Sequence, residues 1–535
     1  MRIFAFESLG MRGSLVEVEV DIRRGIPAVD IVGLASASVK EARERVRAAI
    51  RNAGFEFPQD RLLINLSPSD LPKEGSRYDL PIALRILVSS GCLPDCQNDI
   101  LALGELTLQG GINPVRGALP AALESGRLGI RIAILPDSTA RECSGIEGLS
   151  IYPARHLEDL ARLLGFIREG RSWTIGGEDA PLASRVIQEA EHAGEEDARN
   201  REAPLPDFSD YWGNPDLVRA LCIAAAGRHN LLLFGPPGTG KTMAVTRLPS
   251  LLPALEEDSA REVAALWSLR GWTFPWKEGA VRPPFRSPHH SASLEGMVGG
   301  GKPPVPGEVS LAHTGLLFLD ETPEFRRDVL QSLREPLERE AVSIVRAGRS
   351  LSYPADFQLA LAANSCPCGY LGSSTRPCLC SPQEIQRYWK KLGGPLLDRI
   401  DLRIPVKAPD LASFRVSPPS QEGLANAVLR ARDAQRNRAR FVETEEGTSL
   451  GRGALTNGKL GPREIAAFCD PGNAGRLLLR ESFERRGLSA RACHSLLRMA
   501  RTIADMEGRK DMRCEDMEEA LSLRIYGEGD AFWPA

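Results

Sequence analysis

The sequence predicts an α/β protein organised around a parallel β-sheet. Three observations carry this expectation. The runs Leu231–Phe234, Gly315–Leu319 and Phe357–Ala363 are continuously apolar, as strands buried on both faces must be. A glycine-rich turn, 235–240, joins the first run to a helix-compatible stretch. The C-terminal quarter is rich in Ala, Leu, Arg and Glu at helical spacing.

A chain of 535 residues is too long for one core, and at ~100–200 residues per domain it reads as about three domains. Residues 1–167 alternate short apolar runs with turns. Leu15–Val20 and Leu62–Leu66 are expected strands and Ala37–Asn52 an expected helix, which together make a first α+β or α/β domain. Over 168–203 the apolar periodicity fades into an acidic connection containing Glu189, Glu191, Glu195, Glu196 and Asp197. The parallel-sheet domain is placed at 204–407 and a helical lid at 408–535. The lid's expected helices are 424–440, 462–468, 475–486, 490–507 and 514–524.

Composition names no function. Hydrophobic residues make up 42% and charged residues 26%, and the net charge of −3 carries no global nucleic-acid signature, so any DNA contact must come from local patches. The start of the chain lacks the apolar segment of a signal peptide, and no run approaches ~18 uninterrupted apolar residues. A cytoplasmic location and no membrane partner are therefore expected. In that compartment thiols stay reduced, so clustered cysteines read as metal ligands or redox groups before they read as disulfides.

Gly235-Pro236-Pro237-Gly238-Thr239-Gly240-Lys241-Thr242 is G-x-x-x-x-G-K-[ST] in strand–loop–helix context. Its backbone N–H groups can wrap phosphate oxygens, Lys241 supplies a cation to the β- and γ-phosphates, and Thr242 can ligate Mg²⁺. ATP and Mg²⁺ are the implied ligands. The next apolar strand ends in Asp320-Glu321, where Asp320 can hold Mg²⁺ through its water shell and Glu321 can polarise an attacking water. The third strand ends in Asn364, a neutral side chain suited to orienting that water or sensing the γ-phosphate.

The order of these parts resembles the AAA+ ATPases. By that resemblance Asn364 is sensor 1, Arg399 in Pro395–Asp401 is the arginine finger, and Arg491 in Leu488–Ala492 is sensor 2. A finger that serves a neighbour implies a ring, most often a hexamer. Within that class, Arg282–His290, Gly299–Gly301, Pro306–His313, Phe318–Phe325, Ala363–Gly369 and Ala500–Asp505 resemble the magnesium-chelatase-like family of the YifB/ComM type. Ser365, where the family usually has proline, and Cys493-His494-Ser495 are departures outside the ATP chemistry. The resemblance implies a hexameric DNA motor, a helicase that moves branched DNA during recombination of incoming strands in natural transformation, with recombination proteins as partners. Two alternatives stand beside it: a magnesium-chelatase-type motor that remodels a protein, and a Lon-type peptidase.

The peptidase alternative comes from the first domain. Asn65–Ala83 and Gly104–Ile112 resemble the proteolytic domain of Lon, of ribosomal S5 domain 2 type. Laid over Lon, the Ser nucleophile position is Arg77 and the two lysine positions are Leu119 and Ala121, and no lysine occurs between Lys73 and Lys241. The domain is therefore expected to keep the Lon-like fold without its catalytic dyad, as a binding or assembly domain.

Four of the eleven cysteines lie in Cys366-Pro-Cys368 and Cys378-Leu-Cys380, between Asn364 and Arg399. Paired thiolates closing a short loop suit tetrahedral Zn²⁺, with redox-active or simply packed thiols as the other readings. The alternating stretch Val342–Tyr353 reads as a hairpin, and related rings carry such a hairpin into the pore. Arg346 and Arg349 are thus candidates for DNA phosphates, against a solvated hairpin. His289-His290 is read as structural or interfacial, and Arg430, Arg432, Arg436, Arg438 and Arg440 as a solvated helix face rather than a nucleic-acid stripe.

Overall fold

A computed structural model describes residues 1–171, 206–277, 279–346, 349–373, 376–407, 418–446 and 456–524. From residue 172 on, the expected acidic connection lies outside the described residues. So do 408–417, 447–455 and 525–535 of the expected helical region.

In the first α/β unit, strands β1 (Ile3–Leu9), β2 (Arg12–Arg23), β3 (Ala28–Val32), β4 (Arg61–Ser67), β5 (Ile100–Ala102), β8 (Ile132–Pro136) and β9 (Ser150–Ala154) form a seven-stranded sheet. Between β5 and β8, the pair β6 (Glu105–Leu106) and β7 (Ile112–Asn113) makes a small ribbon. The sheet order is β3-β4-β2-β1-β5-β8-β9. β2 runs antiparallel to β1 and β4, while β3/β4, β1/β5, β5/β8 and β8/β9 are parallel. The helix Ala37–Asn52 starts on an N-cap, Ser36, whose hydroxyl accepts the Val39 N–H, and it buries Val39, Ala42, Val46, Ala49 and Ile50 at 3–4-residue spacing.

The second unit is the parallel sheet. β10 (Leu231–Phe234), β11 (Phe285–Arg286), β14 (Leu316–Leu319), β17 (Gln358–Ala363) and β18 (Leu402–Pro405) stand in the order β11-β14-β17-β10-β18, all parallel. Period-2 alternation sends Leu231, Leu233, Phe318, Ala360 and Ala362 into a core shared with the helix Pro215–Gly227 and the C-terminal helices. Leu232, Phe234, Leu317, Leu359 and Leu361 face the other way, into a core with Phe325, Tyr388 and Trp389. On this second side the ribbon β12 (Gly299–Gly300)/β13 (Val305–Pro306) and the hairpin β15 (Ala341–Arg346)/β16 (Arg349–Pro354) are added.

The expected C-terminal helices are present as Gln421–Glu446, Pro462–Phe468, Gly472–Arg486, Ala490–Met506 and Cys514–Ser522. Their arginines do not form one solvated face. Arg432 is buried and donates to Ala225 O at 2.6 Å, Arg438 pairs with the buried Asp505, and Arg430 is exposed. The i, i+2 spacing of a helix scatters these side chains around its axis.

The two units share a core. Ala260, Val263 and Ala264 of the helix Glu257–Arg270, with Phe274, Trp276 and Val281 after it, pack into the cluster built on the first sheet. Gly117 N–H donates to Ser268 O at 2.8 Å across the same joint. The Arg282–His290 and Pro306–His313 segments are tied by Arg286, whose fork holds Glu308 at 2.7 and 2.9 Å between the rings of Trp267 and Trp272.

Candidate functional site

The carboxyl ends of β10, β14 and β17 converge, which is where open parallel sheets place their ligands. Gly235, Asp320 and Asn364 are the first residues beyond these three ends. Gly235 is confined to glycine by packing, since a Cβ there would lie 2.1 Å from Val406 O at the end of β18. Beyond it the loop turns into the short helix Lys241–Val245 through Gly238 (φ +76°) and Gly240 (φ +83°).

Lys241 is buried, and its ammonium donates to Gly235 O (2.9 Å) and Pro236 O (2.8 Å), with Asn364 Oδ1 3.5 Å away. Burial lowers its pKa, and Asp320 opposes that shift. Thr242 donates its hydroxyl to Asp320 Oδ2 at 2.7 Å, the pairing of a hydroxyl and a carboxylate that can share a hydrated Mg²⁺. Glu321 sits at φ +48°, a left-handed conformation unusual for a side chain of its size, which turns it away from the strand and leaves it exposed. His290 Nδ1 is 3.7 Å from Glu321 Oε2. That neighbour was hidden in the sequence, where His289-His290 reads only as a local pair.

Arg399 and Arg491 lie elsewhere. Arg399 precedes β18, and its carbonyl accepts from Asn230 Nδ2 at 3.1 Å beside the start of β10. Its backbone is therefore at the opposite end of β10 from the glycine-rich loop, about 13 Å away along a four-residue strand. Arg491 stands next to it, because Ser489 caps the helix Ala490–Met506 while donating to Asp398 Oδ1 at 3.1 Å. Both guanidinium groups meet Glu338 Oε1, Arg491 at 3.0 Å. Hydrogen bonding from Arg491 and the charge of Arg399 hold the Glu338 carboxyl below its usual range. Nothing in the spacing of the sequence announces Glu338 as their shared anion.

The four loop cysteines come together. Cys366 Sγ is 3.3 Å from Cys368 and 3.6 Å from Cys378, Cys368 is 3.7 Å from Cys378, and all four Sγ atoms lie within 4.8 Å of one another. A tetrahedral Zn²⁺ with ~2.3 Å bonds requires sulfurs ~3.8 Å apart, so the residues present fit that ion. Burial raises the pKa of the Cys366 thiol, whereas the Tyr370 backbone N–H lowers that of Cys368.

For Arg346 and Arg349 the backbone places the two opposite each other at the end of the β15/β16 hairpin. Residues 347–348 between them lie outside the described residues. In the first unit, Arg77 donates to Ser8 Oγ at 3.1 Å, and Leu119 and Ala121 are buried. Lys73 is fully buried on Pro68 O, and the neighbouring Ser76 donates to Glu105 at 2.7 Å, so among the described residues no serine–lysine pair forms here.

A parallel-sheet module with this site belongs to a known class. The family described as magnesium chelatase, subunit ChlI, matches residues 207–413, its ChlI subunit region matches 18–139, and its C-terminal region matches 419–524. The chain is a magnesium-chelatase-like AAA+ protein. Within that class it belongs to the YifB/ComM type. It is 40% identical to the uncharacterized protein YifB of Escherichia coli over 97% of this chain and 95% of that one, and 39% identical to the competence protein ComM of Haemophilus influenzae over 98% and 97%. A weaker likeness, 24% over 162 residues, links 28% of the chain to 21% of the Lon protease of Brevibacillus choshinensis. No described helix is long and apolar enough to cross a membrane.

Proposed function

We propose that this chain is an ATP-hydrolysing ring motor acting on single-stranded or branched DNA, a hexameric helicase that migrates branches while incoming strands recombine during natural transformation. The observation that carries the ATPase part is the cluster of Lys241, Thr242, Asp320, Glu321 and Asn364 at adjoining strand ends. In this reading Gly235–Thr242 cradle the phosphates, Thr242 and Asp320 hold Mg²⁺, Glu321 activates water and Asn364 orients it. Arg399 and Arg491, at the other end of the strands, serve a γ-phosphate bound by the neighbouring protomer, which makes the ring a requirement for turnover. The near-full-length likeness to a competence protein supports DNA as substrate, with Arg346 and Arg349 as contacts and a cytoplasmic setting among recombination proteins. The C-terminal helices act as the lid, four cysteines hold structural Zn²⁺, and the first domain is a Lon-like assembly domain without peptidase activity.

The test is the steady-state ATPase rate without DNA and with single-stranded, duplex and four-way-junction DNA, using Glu321→Gln as the blank. Stimulation strongest on single-stranded or branched forms is expected. A rate indifferent to all four moves the reading to a protein-remodelling motor, the alternative favoured by the match to magnesium chelatase subunits.

A further inference from the structure

The cysteine loop is packed against the nucleotide site. Cys366 follows Asn364 by two residues, and Asn364 Oδ1 is 3.5 Å from the Lys241 ammonium. Three residues further, Gly369 adopts φ +84°. A Cβ there would stand 3.1 Å from Pro237 Cδ in the glycine-rich loop and 4.0 Å from Asn364 Cγ, so a side chain would strain the backbone and push Pro237 away by a few tenths of an ångström. The turn itself is closed by Gly369 N–H on Cys366 O at 2.9 Å.

The far end of the loop is anchored to the same place. Cys380 leads directly into the helix Pro382–Lys390, fixed by a capping box in which Ser381 N–H donates to Glu384 at 2.8 Å and Glu384 N–H to Ser381 Oγ at 3.3 Å. One residue before that helix ends, the Trp389 indole donates to Ser365 O at 3.1 Å, and its ring meets Phe234, the last residue of β10, edge-on at 5.7 Å. Both arms of the cysteine loop therefore return to the strand ends that carry the phosphate-binding residues.

We propose that the metal-bound cysteine loop is a clamp on the nucleotide site: Zn²⁺ holds Gly369 against Pro237 and Asn364, and metal and nucleotide bind with positive coupling. This rests on the zinc reading of the four cysteines. With the ion in place, the loop between Cys368 and Cys378 is tethered at both ends and Pro237 has a fixed wall behind it. When the metal leaves, the thiols separate and the wall loosens. Because coupling between two ligands is reciprocal, nucleotide must protect the metal as much as metal promotes nucleotide binding.

The experiment measures how fast a chromogenic chelator, 4-(2-pyridylazo)resorcinol, extracts zinc from the full-length chain, with and without the Mg²⁺ complex of a non-hydrolysable ATP analogue. Extraction at least about fivefold slower with nucleotide is expected, no protection in Lys241→Ala, and a weaker nucleotide affinity after zinc is stripped, matched by an equal factor in the zinc affinity read at competition equilibrium. Gly369→Ala should keep one zinc per chain but reduce the protection to less than about twofold. Equal extraction rates in wild-type protein with nucleotide demonstrably bound overturn the clamp and leave the metal reading standing. A purified chain with no zinc overturns the metal reading and the clamp with it.

Discussion

Two lysines, Lys73 in the first unit and Lys241 in the second, start from the same physics and end differently. Each is buried, each folds its ammonium onto backbone carbonyls, and in each burial lowers the pKa. Around Lys241 the partners are those of an anion site: glycines in left-handed conformation, a hydroxyl, a carboxylate and an amide at the open ends of parallel strands. Near Lys73 in the chain, Ser76 donates to Glu105 and Arg77 to Ser8. A buried amine is a site only where space and complementary groups are left for a ligand. The ammonium of Lys73 ends on a single backbone carbonyl, whereas that of Lys241 lies beside the hydroxyl, carboxylate and amide at the strand ends.

Lys241→Ala breaks the comparison most strongly. Nucleotide binding or turnover should fall to the background of a fluorescent-nucleotide titration and a phosphate-release assay, and a variant that retains either places the phosphate site elsewhere. Arg399→Ala comes next, with turnover lower by about 10³-fold while nucleotide affinity and ring assembly, read by light scattering, are kept. Wild-type turnover in that variant removes Arg399 from the chemistry. Glu338→Gln should cost roughly 10- to 100-fold in kcat with KM unchanged, and much less when Arg399 is already alanine, because it acts by positioning the arginines.

The joint between the two units carries a pH dependence. Burial against the helix Glu257–Arg270 pushes the Glu142 carboxyl up to about 7, with Ser268 and Lys277 opposing. A carboxyl raised in the folded state binds its proton more tightly there than in the unfolded chain. Its contribution to stability is complete below about pH 4.5 and is lost as pH rises through about 7. The unfolding free energy from urea titration should therefore be higher at pH 5.5 than at pH 8 by about 1–2 kcal/mol more in wild type than in Glu142→Gln. Identical pH profiles would show that Glu142 is solvated at the joint. Last and smallest, Lys73→Met should leave ATP turnover within about twofold and stability unchanged or raised, since it replaces a buried charge by an apolar chain of similar length. Loss of turnover there would mean that the first unit takes part in the chemistry after all.

Much of this molecule is legible in one dimension. The strands β10, β14 and β17 are readable because burial on both faces forces continuous apolar runs, and the phosphate loop because its glycines and lysine must be contiguous to wrap a small anion. The four cysteines are legible because two C-x-C pairs stand close together in the sequence, and the fold brings their Sγ atoms within 4.8 Å of one another. What the tertiary structure alone decided are the contacts between residues far apart in the chain. Glu338 joins Arg399 and Arg491, His290 faces Glu321, Gly369 rests on Pro237, and Ala260–Val281 pack into the first sheet's core. The arginines of Gln421–Glu446 diverge for a related reason, that a helix distributes neighbours in sequence to different faces and only its surroundings decide which are buried. Local sequence dictates what must be adjacent along the backbone, and packing dictates what meets across it, because shape and charge complementarity between distant segments leave no periodic trace in either one.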